Sequence, residues 1–335
     1  MNHPEWTRRR FIRATGAAGL AATMPAHAAA EPPLETTRIR IEDRPIACLA
    51  PLHVAEPLLR AEGFTEIEYV KVVPLAEGPV KACAAGQIDL IQTDPVDYMQ
   101  GLDRGAPIVV LGGMHTGCWE LFGQRAIHTL RELKGKTIAA PEKSSRQAFV
   151  AAMIASVGLD PHRDVTWINH DTSESMRLFE QGRIDAFMGF VPEPQVLRAR
   201  KVGQVLIDTL IDKPWSQYFC CLAGANREFV RKHPVATRRA LRAVLKAIDL
   251  CVSQPERAAR LMVERGVVAP NFEHVLQAVK DVGYAKWRDY EAEDTMRFWG
   301  LRLREFGFVK SDPKKLLAKG TDWRFIEQLK KEMKT

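Results

Sequence analysis

The sequence predicts an α/β fold of two similar lobes, each a sheet flanked by helices, with extra helices at the C-terminal end. The first observation is a phrase used twice. Lys81-Ala-Cys-Ala-Ala-Gly86-Gln-Ile88-Asp89-Leu-Ile is echoed by Arg177-Leu-Phe-Glu-Gln-Gly182-Arg-Ile184-Asp185-Ala-Phe. Each copy reads as a helix end, a glycine at its cap where positive φ is needed, and a strand. Gly86 and Gly182 stand 96 positions apart, a domain-sized interval. The second observation is that strand and helix patterns alternate as far as Arg227, after which the text turns helical. The third is size: 335 residues, 46% hydrophobic and 27% charged, can bury a core that usually divides in two.

The elements follow in order. Thr7-Arg8-Arg9-Arg10-Phe11-Ile12-Arg13, then an Ala/Gly-rich run ending at Ala26-His27-Ala28, has the pattern of a twin-arginine signal peptide over residues 1–28. It places the mature protein in the periplasm, cleaved near Ala28. The stretch Ala14–Met24 is too short and too poor in Leu, Ile and Phe for a bilayer span, which takes about 20 apolar residues. Ile39–Ala47 alternates as a strand; His53–Glu62 reads as a helix ended by Gly63; Glu66–Val73 is a strand. Pro107–Leu111, Thr137–Ala140 and Val165–Asn169 are short strands. Residues 130–135, 145–158 and 173–180 are helical. Helices are predicted over 227–233, 234–253, 255–265, 271–282, 291–306 and 321–333. The lobe limits expected from this text are 36–118 plus 219–335 for the first and 119–218 for the second.

Charge excludes one class of partner. The chain carries 48 basic and 41 acidic residues, a formal +7 that falls to +4 without residues 1–28. No Lys/Arg stripe with interleaved aromatics accompanies it, so nucleic acid is not expected. The six cysteines imply at most one disulfide, with no pair assignable. Cys83 and Cys251 sit in apolar helical patterns and read as buried thiols. His115-Thr-Gly-Cys118 has metal-like spacing, but no further ligand is spaced to help, so no metal or cofactor is expected.

A series of phrases, none specific alone, has a specific order. It runs Pro51-Leu-His-Val-Ala55, Gly78–Asp89, Leu133-Lys-Gly-Lys-Thr137, Ser144-Ser145, Val157-Gly-Leu-Asp-Pro161, Gly182-Arg-Ile-Asp185, Glu193-Pro194, Asn226-Arg-Glu-Phe229 and His233-Pro234. From about Arg44 to Ser253 the chain resembles the nitrate/sulfonate/taurine-type periplasmic solute-binding proteins of ABC importers, relatives of thiamine-pyrimidine binders. The resemblance implies a two-lobed, type II-like clamshell that closes over one small ligand and hands it to a permease in the cytoplasmic membrane. It implies a monomer and no catalysis.

Carried over position by position, the family's ligand contacts fall on Pro51 and His53 in lobe one, on Gly78 in the Glu77-Gly78-Pro79 turn, and on Asp94. In lobe two they fall on Ser144, Ser145 and Arg146, which open a helix, and on Glu193. His115 and Trp119 would lie near the crossing between lobes and Tyr218 near the return. Plainer roles stand beside these: Ser144 as a helix cap, Glu193 and Asp94 as turn formers, His53 as a surface residue, His115 and Trp119 as structure. Asp94 and Glu193 favour a ligand with N–H donors, whereas Lys143 and Arg146 favour an acid group. A sulfonate or taurine-like solute, a zwitterion, or a small aromatic or pyrimidine-like molecule is therefore expected.

Two other functions remain open on the sequence. One is an enzyme on the same fold, like the pyrimidine synthase of thiamine biosynthesis, although Cys220-Cys221 alone does not reproduce that enzyme's cysteine-rich segment. The other is a ligand-binding sensory partner that docks on a receptor. No Gly-x-Ser-x-Gly, His-Glu-x-x-His, Gly-x-Gly-x-x-Gly or phosphate-loop pattern occurs.

Overall fold

The computed structural model describes residues 31–72, 78–268 and 271–334; the arginine-led segment 1–28 and Glu77 lie outside them. Among the described residues ten strands form two five-stranded sheets. They are β1 (Arg38–Asp43), β2 (Glu66–Lys71), β3 (Leu90–Thr93), β4 (Ile108–Thr116), β5 (Trp119–Gly123), β6 (Thr137–Ala139), β7 (Thr166–Ile168), β8 (Ala186–Phe190), β9 (Gln204–Asp208) and β10 (Phe219–Asn226). The first sheet runs β2-β1-β3-β10-β4 and the second β7-β6-β8-β5-β9. The orders correspond strand for strand. In each sheet the first three strands of that order are parallel, and the fourth is antiparallel to both of its neighbours.

The repeated phrase does the same work in both sheets. Gly86 (φ +71°) and Gly182 (φ +70°) take the left-handed turn that a side chain would strain. The Asp89 carboxylate then accepts the Arg40 N–H of β1 at 2.8 Å, and the Asp185 carboxylate accepts the Thr137 N–H of β6 at 2.8 Å. Each aspartate thus ties the third strand to the first where the ladder begins.

The helices are α1 (Ala50–Val54), α2 (Glu56–Ala61), α3 (Gly78–Ala84), α4 (Pro95–Asp103), α5 (Ser145–Ser156), α6 (Thr172–Glu180), α7 (Glu193–Ala199), α8 (Arg227–Lys232), α9 (Pro234–Ser253), α10 (Pro255–Glu264), α11 (Phe272–Asp281), α12 (Ala292–Glu305), α13 (Pro313–Gly320) and α14 (Arg324–Glu332). The single helix expected over 53–62 begins earlier and breaks into α1 and α2, because Pro57 has no N–H to give the His53 carbonyl. The helix expected at 130–135 is a short 3-10 turn, Leu130–Leu133, with Gly135 at φ +74° beyond it. Helix α13 was absent from the sequence expectation; Asp312 caps it by accepting the Lys314 N–H. No described helix is long and apolar enough to cross a membrane.

Two connections join the sheets. Gly117-Cys118 links β4 to β5, and residues 209–218 link β9 to β10. They touch closely: Gly117 has φ +51°, and a Cβ there would lie 2.4 Å from the Leu210 Cα. A Cys118–Cys220 disulfide, Cα–Cα 6.4 Å, joins the first connection to β10. Residues Leu34–Thr335 pack as one unit that holds both sheets and the C-terminal helices.

Candidate functional site

On the second sheet's side, Arg146 and Glu193 meet. Ser144 caps α5, its Oγ accepting the Gln147 N–H, and so aims the first turn of that helix. Arg146 then donates to both carboxylate oxygens of Glu193, at 2.9 and 3.1 Å, and to the Met188 carbonyl of β8. Glu193 opens α7 and also accepts the Phe190 N–H at 2.8 Å. The guanidinium lies 5.5 Å from the Trp119 ring centre and 5.7 Å from that of Phe187. A fork-on-fork pair over an aromatic face is a charge-neutral polar unit that a ligand can enter by exchanging hydrogen bonds.

Trp119 anchors an aromatic band. It lies 4.8 Å from Phe149 and 4.3 Å from Phe190, and Phe149 meets Trp299 of α12 edge to face at 4.2 Å. The indole Nε1 of Trp119 is buried without a hydrogen-bond partner among the described residues. Trp299 in turn contacts Trp215 and Phe298, and Tyr218 stacks on Phe298 at 4.0 Å. Tyr218 therefore belongs to the far end of the band, beyond Trp299.

Across from α5 stands α4 of the first lobe. Asp94 caps it, Oδ1 accepting the N–H groups of Val96 and Asp97 at 2.9 and 3.0 Å. Burial first, and the neighbouring Asp97 next, push the Asp94 carboxyl up from the usual range. The Ser145 hydroxyl donates to Asp97 Oδ1 at 3.0 Å, and the Gln100 amide donates to the Lys143 carbonyl at 2.9 Å. The first turns of α4 and α5 thus close against each other. A second closure lies at the rim, where Arg198 of α7 bridges Glu120 at 2.6 Å and Asp281 of α11 at 2.5 Å.

Pro51 and His53 lie in α1, both buried. His53 stacks on Tyr69 at 5.0 Å, and burial, with Arg265 second, lowers its pKa to about 4. Expected as a ligand contact, with a surface position as the plainer alternative, His53 is a neutral, buried ring packed on Tyr69. Gly78 starts α3 with φ +67°. His115 is fully buried: Nδ1 lies 3.3 Å from the Thr116 carbonyl and Nε2 3.2 Å from the Gln92 amide nitrogen. One ring nitrogen and the sulfurs of Cys48, Cys118 and Cys221 all lie within 4.8 Å of one another. His115-x-x-Cys118 therefore does have further ligand-type neighbours, from the 3-10 turn Ala47–Leu49 and from β10.

The structure brings Trp119, Ser144, Ser145, Arg146 and Glu193 to one place, with Asp94 facing them through Asp97. It sets His53, His115 and Tyr218 in three other surroundings. Sequence reasoning missed Asp97, Phe149 and Trp299. Asp97 had a signal, since it follows Asp94 by one helical turn; Trp299 had none, being 180 residues from Trp119. A cavity of about 180 Å³ lies beside Trp323 and Lys330, and one of about 230 Å³ beside Trp167 and Phe308 is lined also by Lys143 and Gln147, next to the Ser144 cap; neither is lined by Trp119, Arg146 or Glu193.

Comparison with known proteins agrees with this architecture. A binding protein of Brucella abortus (strain 2308) is 25% identical over 183 residues, 53% of this chain and 56% of that one. The chain thus spans about half the length of the curated relatives it matches. The periplasmic nitrate-binding protein NrtA from Synechocystis PCC 6803 superposes with a TM-score of 0.75 at 14% identity, covering 90% of each chain. The alkanesulfonate-binding protein SsuA from Xanthomonas axonopodis pv. citri, bound to MOPS, gives 0.68 at 16%, covering 86% of this chain and 99% of that one. The desulfurization enzyme DSZB gives 0.60 at 13%, covering 88% and 99%, so the fold also carries an enzyme. At these identities the likeness is one of fold, that of the two-lobed periplasmic binding proteins. The family model described as NMT1/THI5 like matches residues 66–258, more than half of the sequence, and the chain belongs to that family.

Proposed function

We propose that this chain is the solute-binding component of an ABC importer, exported by its twin-arginine segment and working as a periplasmic monomer that delivers one small organic solute to a permease. In this reading residues 36–118 with 219–335 and residues 119–218 are the two lobes that close on the ligand. One observation carries it: two short connections join the sheets, and across them the first turns of α4 and α5 meet through Ser145 and Asp97 beside the Trp119–Arg146–Glu193 cluster. Such an arrangement needs hinge motion and hydrogen-bond exchange, and no nucleophile.

The ligand class follows from what the cluster lacks. Arg146 and Glu193 satisfy each other, so a bare anion or a bare cation would leave one of them unpaired and buried. A zwitterion, or a flat heterocycle with donor and acceptor edges, replaces both halves at once. An acceptor on the same molecule would satisfy the orphaned Trp119 N–H, and the indole face suits a flat ligand. The test is a thermal-shift screen against taurine, alkanesulfonates, nitrate, amino acids, pyrimidines and aromatic acids. A zwitterion or heterocycle that raises the melting temperature with concentration, and is recovered unchanged, supports the reading. Chemical turnover of the hit would favour an enzyme instead, and preference for nitrate would refute the ligand class.

A further inference from the structure

We propose that Cys48, His115, Cys118 and Cys221 form a metal site in the thiol form of the protein, of the three-sulfur, one-nitrogen class that takes zinc(II) or cobalt(II), and that the Cys118–Cys220 disulfide closes it. The four groups come from three parts of the chain: the Ala47–Leu49 turn, the end of β4 with the connection after it, and β10. All four residues are buried, and their ligand atoms already lie within 4.8 Å of one another. A tetrahedral zinc with Zn–S bonds of about 2.3 Å sets its sulfurs about 3.8 Å apart. The ion therefore asks the cluster to draw in by about an ångström or less.

The surroundings are those of a metal centre. His115 has one ring nitrogen beside the Thr116 carbonyl and the other beside the Gln92 amide. On ligation one nitrogen would exchange its neighbour for the ion, and the other would keep its bond as the outer support that orients ligating imidazoles. Gln92 also donates to the Cys48 carbonyl at 3.0 Å, and the Tyr284 hydroxyl donates to the same oxygen at 3.0 Å. The Tyr284 ring meets His115 edge-on at 5.4 Å, closing the centre to water. The buried Gln92 Oε1 has no partner among the described residues, so this polar shell is incomplete as it stands.

The disulfide and the metal compete for one sulfur. Breaking the Cys118–Cys220 bond takes two electrons and two protons and yields two thiols. Two reductant thiols supply both and leave as their disulfide, whereas a phosphine supplies the electrons and becomes its oxide with the oxygen of a water whose two protons go to the sulfurs. As the ion enters, Cys48, Cys118 and Cys221 each lose a proton to solvent, and Cys220 remains a thiol. In the oxidised form the Cys118 sulfur is bonded to Cys220 and only three ligands remain. Either state pins the connection after β4 to β10, through Cys220 in one and through Cys221 in the other. A chain that folds in the reducing cytosol before export would meet the metal with all its thiols free.

The test uses the full chain produced in a reducing cytoplasm with cobalt(II) in the medium and purified anaerobically with a phosphine. About one cobalt per chain, a near-ultraviolet thiolate-to-cobalt charge-transfer band and intense tetrahedral visible bands are expected. After exchange for zinc, X-ray absorption should show three sulfurs and one nitrogen. Cys48→Ser, Cys221→Ser and His115→Ala should each lower metal content by about tenfold or more. Cys83→Ser and Cys251→Ser should keep it, since both thiols lie outside the cluster. Oxidised glutathione should expel the metal from the wild type but not from Cys220→Ser, which cannot form the disulfide. A folded, reduced wild type with less than about a tenth of a cobalt per chain would overturn the site. So would full occupancy in Cys48→Ser or Cys221→Ser. Equal retention with the disulfide formed would overturn the competition. Should a ligand variant fail to fold, the wild-type absorption spectrum and the Cys220→Ser comparison still decide.

Discussion

Replacing Arg146 by alanine removes one half of a buried pair and leaves the other. The Arg146 and Glu193 side chains are only 13% and 23% exposed, so solvent cannot take over the lost contacts. Glu193 would keep the Phe190 N–H but lose two charged hydrogen bonds, and the Met188 carbonyl would lose its donor. Breaking a buried pair in this way costs about 3–5 kcal/mol. The guanidinium also leaves the Trp119 face, worth a further ~0.5–1 kcal/mol. We expect a loss of about 4 kcal/mol in urea denaturation of the ligand-free protein, with an unchanged m value. The double variant Arg146→Met/Glu193→Met removes both charges and fills much of the volume, so it should lose less than Arg146→Ala alone. A loss below about 1 kcal/mol for Arg146→Ala would refute the reasoning, as would a double variant that costs the sum of its singles.

Three further outcomes follow from the same packing. Burial pushes the Glu120 carboxyl up to about 7 despite Arg198, so the folded protein holds that proton more tightly than the unfolded chain. Its contribution is complete below pH ~4.5 and fades as pH rises through ~7, by about 3 kcal/mol at most; Glu120→Gln should flatten stability-versus-pH curves in that window, and an unchanged slope counts against it. Gly117→Ala places a Cβ 2.4 Å from the Leu210 Cα at φ +51°, so thermal melts should show a loss of about 2 kcal/mol or more, and a neutral variant would mean the two connections are not packed as described. Reducing Cys118–Cys220, which spans 102 residues, should cost about 2–4 kcal/mol in metal-free buffer with chelator. Equal unfolding midpoints with and without reductant would contradict that.

Much of the first lobe and of the helix layout was legible because local chemistry writes it. The Gly-x-Ile-Asp phrase encodes a cap, a turn and an aspartate that locks two strands, and both copies do so. Ser144 was readable as a cap for the same reason, whereas Asp94 read as a turn former and caps a helix that was not expected. Strands β5 and β10 were not legible, since every residue in them is buried and no alternation survives to mark a face. Nor was the company His115 keeps, which comes from Cys48 and Cys221, 67 residues before it and 106 after it. His53 shows the opposite failure. A histidine on a short helix looks solvated, yet Tyr69 covers it. The aromatic partners of Trp119 likewise come from α5 and the end of β8, and Trp299 of α12 joins them through Phe149; no spacing rule relates such distant segments.

The central claim is that the Arg146–Glu193 pair opens to hold a small solute against Trp119. Isothermal titration of the solute found by the screen, into the wild type and into Glu193→Gln, tests it most directly. One site per chain, a solute recovered unchanged, and a weakening of about 1.5–3 kcal/mol in the variant are expected. Equal affinity in the two proteins would remove Glu193 from the site, and with it the exchange on which the proposed recognition rests.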